Sequence, residues 1–274
     1  MSTFPAVPDG FEVVTERGGL AVVRSSAKER LLALGIMDPA TIETLRRSGR
    51  PAGSGRGTVV SVPLDADRGE RVVIRHCRRG GLLGRVLGDR YLSGTRPLDE
   101  LAISEAARQA GVPTPQCMAA LVWRRGLFYA GDLIIREVPH ATPLDQWLRD
   151  HGASRALIGP LAEALGRLFA AGVYHPDLHA GNILVEPAPD GPRVQIIDFD
   201  RAKLTGRLPA TRRDRMLFRF NRALVKRGLA PGPAGLRSRL RLCRALGIAG
   251  DRAEMRRFVA ACQAHLKRHA WHYR

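Results

Sequence analysis

Four cysteines in 274 residues, Cys77, Cys117, Cys243 and Cys262, are too few and too scattered for a zinc site or a disulfide framework. No CxxC spacing joins any two of them, so they read as reduced thiols of a cytoplasmic protein. The chain also lacks an apolar run of membrane-spanning length, and its start, MSTFPAVPDGFEVV, lacks the charged-then-apolar order of an export signal. An integral or exported protein is therefore not expected. Acidic residues are scarce beside basic ones, 26 Asp and Glu against 44 Lys and Arg, which leaves a formal net charge of +18. An excess of that size bears on partners more than on fold: nucleic acid, an anionic membrane surface or a phosphorylated substrate would each be attracted. The hydrophobic fraction of 45% is ordinary and supplies a core, and the length suits one large domain or two lobes.

What is present is concentrated in HPDLHAGNILVEPAPDGPRVQIIDFD, residues 175–200. It holds a His-x-Asp ending at Asp177, an Asn five residues later at Asn182, the apolar run Ile183 to Val185, a Pro/Gly turn, and a strand-like Val194 to Ile197 that delivers Asp198. Two strands joined by that turn would bring Asn182 and Asp198 side by side. Such a pair suits Mg²⁺, a hard cation that takes oxygen ligands and is shared with substrate phosphates. Asp177 at the mouth of the loop would be free to accept a hydroxyl proton, the arrangement used for phosphoryl transfer in the protein-kinase fold. Turn residues alone would explain some of these types, but not their spacing together with the second Asp at a strand end.

The preceding chain offers partners for that loop. Phe11 to Val14 and Leu20 to Val23 read as a hairpin, and Asp38-Pro39 starts a helix with Ile42 and Leu45 on one face, an extra layer at the N-terminus. Gly53, Gly55 and Gly57 precede a strand, so their backbone could close over phosphates, although a plain glycine linker fits the same letters. The strand Arg71 to Arg75 ends in Arg75 where protein kinases carry a Lys, and a Glu of the next helix should pair with it: Glu100, with Glu105 as the alternative. Arg78 and Arg79, followed by two glycines, suit a phosphate or carboxylate of the substrate. The strand ending at Glu137, Val138 and Pro139 would offer backbone groups to an adenine edge. After Asp200, Arg207, Arg212, Arg213, Arg215, Arg219, Arg222, Lys226 and Arg227 interleave with Met216, Leu217, Phe220, Leu224 and Val225, the pattern of an amphipathic helix with a basic face. Two further helices are expected near 235–246 and 251–270.

These residues resemble the 3-deoxy-D-manno-octulosonic acid (Kdo) kinase group of the lipopolysaccharide kinase family. The resemblance is carried by Gly55-Arg56-Gly57-Thr58, Val73 to His76 leading to Arg78-Arg79-Gly80-Gly81-Leu82, Asp89-Arg90-Tyr91-Leu92, Gly111-Val112-Pro113 with Pro115, the Tyr174 to Leu184 loop, and Ile197 to Arg201. It implies a peripheral enzyme at the cytoplasmic face of the inner membrane, moving the γ-phosphoryl group of ATP to the 4-hydroxyl of Kdo on a lipid A precursor. Asp200 stands in place of the Gly of DFG and no APE-like motif follows, so a peptide substrate and an activation-loop switch are not implied.

The expectation is thus an α+β, bilobal protein-kinase-like fold: residues 1–138 as a nucleotide-binding lobe with an antiparallel sheet and an added segment 1–50, and 139–274 as a mainly helical catalytic lobe. Asp177 would orient the sugar hydroxyl, Asn182 and Asp198 would hold Mg²⁺, Arg75 with Glu100 would steady the phosphates of ATP, and the 53–57 loop would cover them. A kinase acting on a core heptose or a small molecule is the first rival. A non-catalytic, basic nucleic-acid-binding protein is the rival from another class, disfavoured because every polar position of the kinase set is filled.

Overall fold

Short runs rich in Val and Ile, separated by turn residues, fill most of the first half of the chain, and they become seven strands of one antiparallel sheet. The computed structural model describes residues 6–16, 18–52, 59–77, 95–126, 128–152, 154–229, 232–248 and 251–268. By contacts the chain divides into two compact units, Met1–Gln109 with Thr114–Pro139, and Ala110–Pro113 with His140–Arg274.

In the first unit the strands are β1 (Phe11–Glu16), β2 (Gly19–Arg24), β3 (Arg50–Pro51), β4 (Val59–Asp65), β5 (Glu70–His76), β6 (Cys117–Arg125) and β7 (Phe128–Arg136). Their order across the sheet is β1-β2-β6-β7-β5-β4-β3. Alternate residues of a strand face opposite sides, and here both sides are covered. Ala21 and Val23 of β2, Val60 and Val62 of β4, and Val72 and Ile74 of β5 share a core with Leu31 of α1 (Lys28–Ala33) and Ile42 of α2 (Pro39–Ser48). Val22, Val122 and Leu133 point the other way, onto Leu98 and Leu101 of α3 (Arg96–Gln109). Asp38 caps α2, its carboxylate accepting from the backbone N–H groups of Ala40 (3.1 Å) and Thr41 (3.3 Å).

One expectation about the N-terminal segment changes. The β1–β2 hairpin does not lie over the sheet as a separate layer; it continues the sheet in plane, with Ala21 opposite Leu121. The physical reason is the burial of β2 on both faces, which only a strand inside a covered sheet can satisfy. The layer is supplied by α1 and α2 alone.

The second unit contains β8 (Thr142–Pro143), α4 (Leu144–His151), α5 (Ile158–Ala170), β9 (Val173–Tyr174), β10 (Ile183–Glu186), β11 (Arg193–Ile196), β12 (Lys203–Leu204), α6 (Ala210–Lys226), α7 (Gly232–Ala245) and α8 (Arg252–Arg268). Leu161, Ala164, Leu165 and Leu168, at helical spacing, form the buried stripe of α5. Two small antiparallel sheets, β11-β10-β8 and β12-β9, flank the loop that carries the motif residues. Gly172, just before β9, has φ of 68°, and a Cβ there would stand 2.2 Å from the Gly206 carbonyl oxygen. Only glycine fits that approach.

Helix α6 is amphipathic as its pattern requires. Met216, Leu217, Phe218, Phe220 and Leu224 are buried, while Arg212, Arg215 and Arg219 are exposed. Val225, grouped by sequence with the apolar side, is instead 45% exposed, since the helix ends one residue later and nothing covers its last turn on that side among the described residues. Asp214 of α6 is buried and takes Arg213 at 3.1 Å and Arg257 of α8, which anchors the last helix. Among the described residues, no helix is long and apolar enough to cross a membrane.

Candidate active site

The motif loop leaves β9 at His175, which is 1% exposed. Its Nε2 lies 3.2 Å from the Ile197 carbonyl oxygen and donates to it when that nitrogen carries the proton. The Nδ1 atom has no hydrogen-bond partner among the described residues, and burial holds the imidazole below its usual pKa. A neutral ring protonated on Nε2 satisfies both facts. The ring also meets Phe199 at 5.5 Å between centroids, so His175 ties the start of the loop to the strand end that carries Asp198.

Asn182 fixes the middle of the loop. Its side-chain Nδ2 donates to the backbone carbonyl of Asp177 at 3.0 Å, and its own carbonyl accepts from Ile197 N–H, also at 3.0 Å. A single-turn 3₁₀ segment, Ala180–Asn182, is capped by His179, whose Nδ1 accepts from Gly181 N–H at 3.0 Å. The β10–β11 register, with Ile183 opposite Ile196, then sets Asn182 beside the residues leading to Asp198. Asp198 itself has φ of 68°, a left-handed conformation that costs a non-glycine residue energy and is found where the side chain must be aimed.

With its amide nitrogen committed to Asp177, Asn182 leaves its side-chain oxygen as the end available to a cation, and Asp198 supplies a carboxylate. Two oxygen donors of this kind could hold Mg²⁺, a hard cation that takes oxygen ligands.

Asp177 departs from expectation. Its carboxylate does not stand free: Oδ1 accepts from Arg219 Nη2 of α6 at 2.7 Å, with both side chains about half exposed. The cause lies in the basic stripe of α6, whose exposed face runs past the loop. Arg219 is the residue that sequence reasoning left among eight basic neighbours. Basic residues interleaved with apolar ones identified the stripe, with Arg215 and Arg222 four and three positions from Arg219 and Arg212 and Lys226 seven, but no sequence signal marked which member would reach Asp177. Arg227, at the end of the same helix, pairs with the buried Asp145 of α4 at 2.6 Å.

In the first unit Arg75 Nη2 is hydrogen-bonded to Glu100 Oε2. Glu100 is 1% exposed and Arg75 22%, so the pair is largely out of water, where a charged bond is strong and an unpaired charge costly. Glu105, the alternative partner, is committed elsewhere, to Arg24 at 2.6 Å and Arg108 at 2.7 Å. Glu137 at the end of β7 also has a role that sequence did not show. Its carboxylate takes Ser61 (2.6 Å), Arg50 (2.6 Å) and Arg71 (3.0 Å), and its N–H donates to the Arg71 carbonyl at 3.0 Å. That bond narrows the adenine-edge assignment to the Glu137 carbonyl and to Val138. Gly53, Gly55, Gly57, Arg78 and Arg79 lie outside the described residues.

Cys77 and Cys117 are buried free thiols, and burial pushes Cys117 up to about 12, away from reactive thiolate. A cavity of about 250 Å³ opens in the second unit among Leu148, Leu161, Leu217, Phe220, Leu242 and Phe258.

The model of the lipopolysaccharide kinase (Kdo/WaaP) family matches residues 44–232. The chain is similar to the 3-deoxy-D-manno-octulosonic acid kinase of Xanthomonas oryzae pv. oryzae, 34% identical over 246 residues that cover 86% of this chain and 93% of that protein. It is likewise similar to the enzyme of the same description from Vibrio parahaemolyticus, 34% identical over 180 residues, 64% of this chain and 73% of that protein. A third relative so described, from Stenotrophomonas maltophilia, is 32% identical over 222 residues, covering 77% and 82%. Among solved structures, WaaP in complex with acyl carrier protein shares the fold, with a TM-score of 0.57 at 18% identity over 94% of this chain and 98% of that one. The architecture is therefore kinase-like, the activity is that of an ATP-using phosphotransferase, and the chain belongs to the lipopolysaccharide kinase (Kdo/WaaP) family.

Proposed function

We propose that the protein transfers the γ-phosphoryl group of ATP to the 4-hydroxyl of Kdo on a lipid A precursor, during assembly of the lipopolysaccharide core. The observation that carries this reading is the bonding of the 175–200 segment: Asn182 clamps the Asp177 backbone while the β10–β11 pairing brings Asp198 alongside. In that arrangement Asp177 orients the acceptor hydroxyl and takes its proton as the oxygen attacks phosphorus. A magnesium ion held by Asn182 and Asp198 would neutralise phosphate charge. The Arg75–Glu100 pair steadies the phosphates, with Arg75 held in place by a buried carboxylate. Positioning and charge neutralisation supply the acceleration, as is general for phosphoryl transfer.

The 53–57 glycines would cover the phosphates, and Arg78 with Arg79 would meet an anionic part of the acceptor. The exposed basic stripe of α6 supports a peripheral position on an anionic membrane surface, where each Lys or Arg near the lipid contributes about 1 kcal/mol. A lipid-borne acceptor also agrees with the apolar lining of the cavity in the same unit.

The deciding assay incubates the protein with labelled ATP and, separately, Kdo-lipid A precursor, a core oligosaccharide ending in heptose, and an aminoglycoside. Mass analysis of the product then places the phosphate. Phosphate on Kdo, lost in Asp177→Ala with the fold and ATP binding retained, is the expected result. Transfer only to heptose or to the aminoglycoside would replace the acceptor, and full turnover by Asp177→Ala would remove Asp177 from its role.

A further inference from the structure

The ion pair between Arg219 and Asp177 raises a question about charge that the phosphoryl-transfer roles leave unanswered. The residue that is to accept a hydroxyl proton would be expected to face the acceptor with its carboxylate open. Yet Arg219 Nη2 lies 2.7 Å from Asp177 Oδ1, and this is the one bond that Arg219 makes among the described residues. The rest of its five-donor fork is uncommitted, and 48% of its side chain remains open to solvent. On one side along the same helical face stand Arg212 and Arg215, and on the other Arg222 and Lys226.

The acceptor explains this arrangement if it is an acid. A sugar acid that offers Asp177 a ring hydroxyl necessarily carries its carboxylate to within one ring of that residue. Two carboxylates so close repel unless a cation stands between them. A guanidinium beside the base removes the repulsion, and its planar fork matches a carboxylate in a way that a neutral sugar cannot use.

We infer that Arg219 binds the carboxylate of the acceptor, and so selects sugar acids over neutral sugars at the hydroxyl-activating residue. This inference rests on the sugar-acid kinase reading above and adds to it a residue that reads the acid. A phosphate of the nucleotide is the competing anion for the same fork, and the two sources separate by which KM responds.

The test compares two soluble acceptors with the full chain: a Kdo glycoside with its carboxylate free and the same glycoside as its primary amide. The wild type should use the acid about 10- to 100-fold better in kcat/KM, the usual range for a charged hydrogen bond. In Arg219→Gln that preference should collapse through a raised KM for the acid, with the KM for ATP unchanged, and Arg219→Lys should recover part of it. Equal losses on acid and amide, or a KM rise confined to ATP, would overturn the inference while leaving the kinase reading in place. Should the Gln variant not fold, the wild type decides alone, because equal use of acid and amide also overturns it. Absence of transfer to any Kdo acceptor by the wild type removes the Kdo reading and this inference together.

Discussion

Glu100 and Glu105 lie five residues apart on α3 and hold different arginines: Glu100 is bonded to Arg75 of the inner strand β5, and Glu105 to Arg24 of β2 and Arg108 of its own helix. Five residues along a helix turn a side chain well away from its starting direction, so one helix addresses two separate basic groups. Both pairs join the helix to the sheet, and under the function proposed above the Arg75 pair would also steady phosphates.

Substitution should separate these tasks. Glu100→Gln is expected to lower transfer by about 10- to 100-fold through loss of a charge-assisted bond that holds Arg75. Glu105→Gln should instead cost about 3 kcal/mol of stability, because Arg24 is nearly buried, while the folded fraction keeps its turnover. Steady-state kinetics and urea unfolding on both variants check this; loss of turnover in folded Glu105→Gln would show that the two pairs are not independent.

Acid should reveal the same carboxylate. Burial pushes Glu105 up, but hydrogen bonds from Arg108 and Arg24 outweigh it and leave its pKa below the ordinary value. A depressed carboxyl contributes stability above the unfolded-state pKa and loses it as pH falls through the folded one. Urea midpoints measured from pH 6 down to 3 should therefore fall less steeply in Glu105→Gln than in the wild type.

His175 and His179 act at a higher pH and in the same direction, although there the fold favours the neutral form. Burial lowers both imidazole pKa values, so below about pH 6.5 the unfolded chain takes up protons that the folded chain refuses. Stability should decline as the solution is acidified from pH 7.5 to 5.5. His175→Gln, which keeps a donor for the Ile197 carbonyl, should show a shallower decline; an unchanged slope would mean that His175 is protonated in the fold.

Asp198→Gly offers an unusual combination. Glycine occupies φ of 68° without the steric cost that aspartate bears, so relief of the backbone by up to about 1 kcal/mol should offset part of what loss of the side chain's contacts costs. Transfer should nevertheless vanish with the carboxylate. Calorimetry beside an activity assay on Asp198→Gly and Asp198→Ala would show it: the glycine variant should be the more stable of the two, and equal stability would deny the backbone any strain.

Gly172→Ala should do the reverse, since an added Cβ would meet the Gly206 carbonyl oxygen at 2.2 Å and must displace backbone. A loss of about 2 kcal/mol or more is expected. Activity should fall with it, because the turn that must move lies three residues before His175.

Legibility in the sequence followed the length scale of the interaction. The His175 to Asp200 segment was readable because its contacts are local: a loop, a turn and a two-stranded pairing fix Asn182 against Asp177 and Asp198. Asp38 as a cap and the Arg75–Glu100 pair were readable for a related reason, since strand and helix follow each other along the chain. What stayed hidden depended on contacts distant in sequence. Arg219 reaches across 42 positions to Asp177, and the β1–β2 hairpin joins β6 about a hundred residues on. The engagement of Glu137 with Ser61 and Arg71 is of the same kind. Periodicity gives the face of an element and not the neighbour that the face will meet.

The seven-stranded sheet is open, and its two outermost strands differ from those inside. The last strand on one side has two residues, and one of them, Pro51, has no N–H to offer an incoming chain. On the other side β1 carries Glu12 and Glu16, the former paired with Lys28. Short length, proline and charge are the devices that stop sheets from recruiting further copies, so concentrated solutions of this protein should resist fibril growth through its β-rich half.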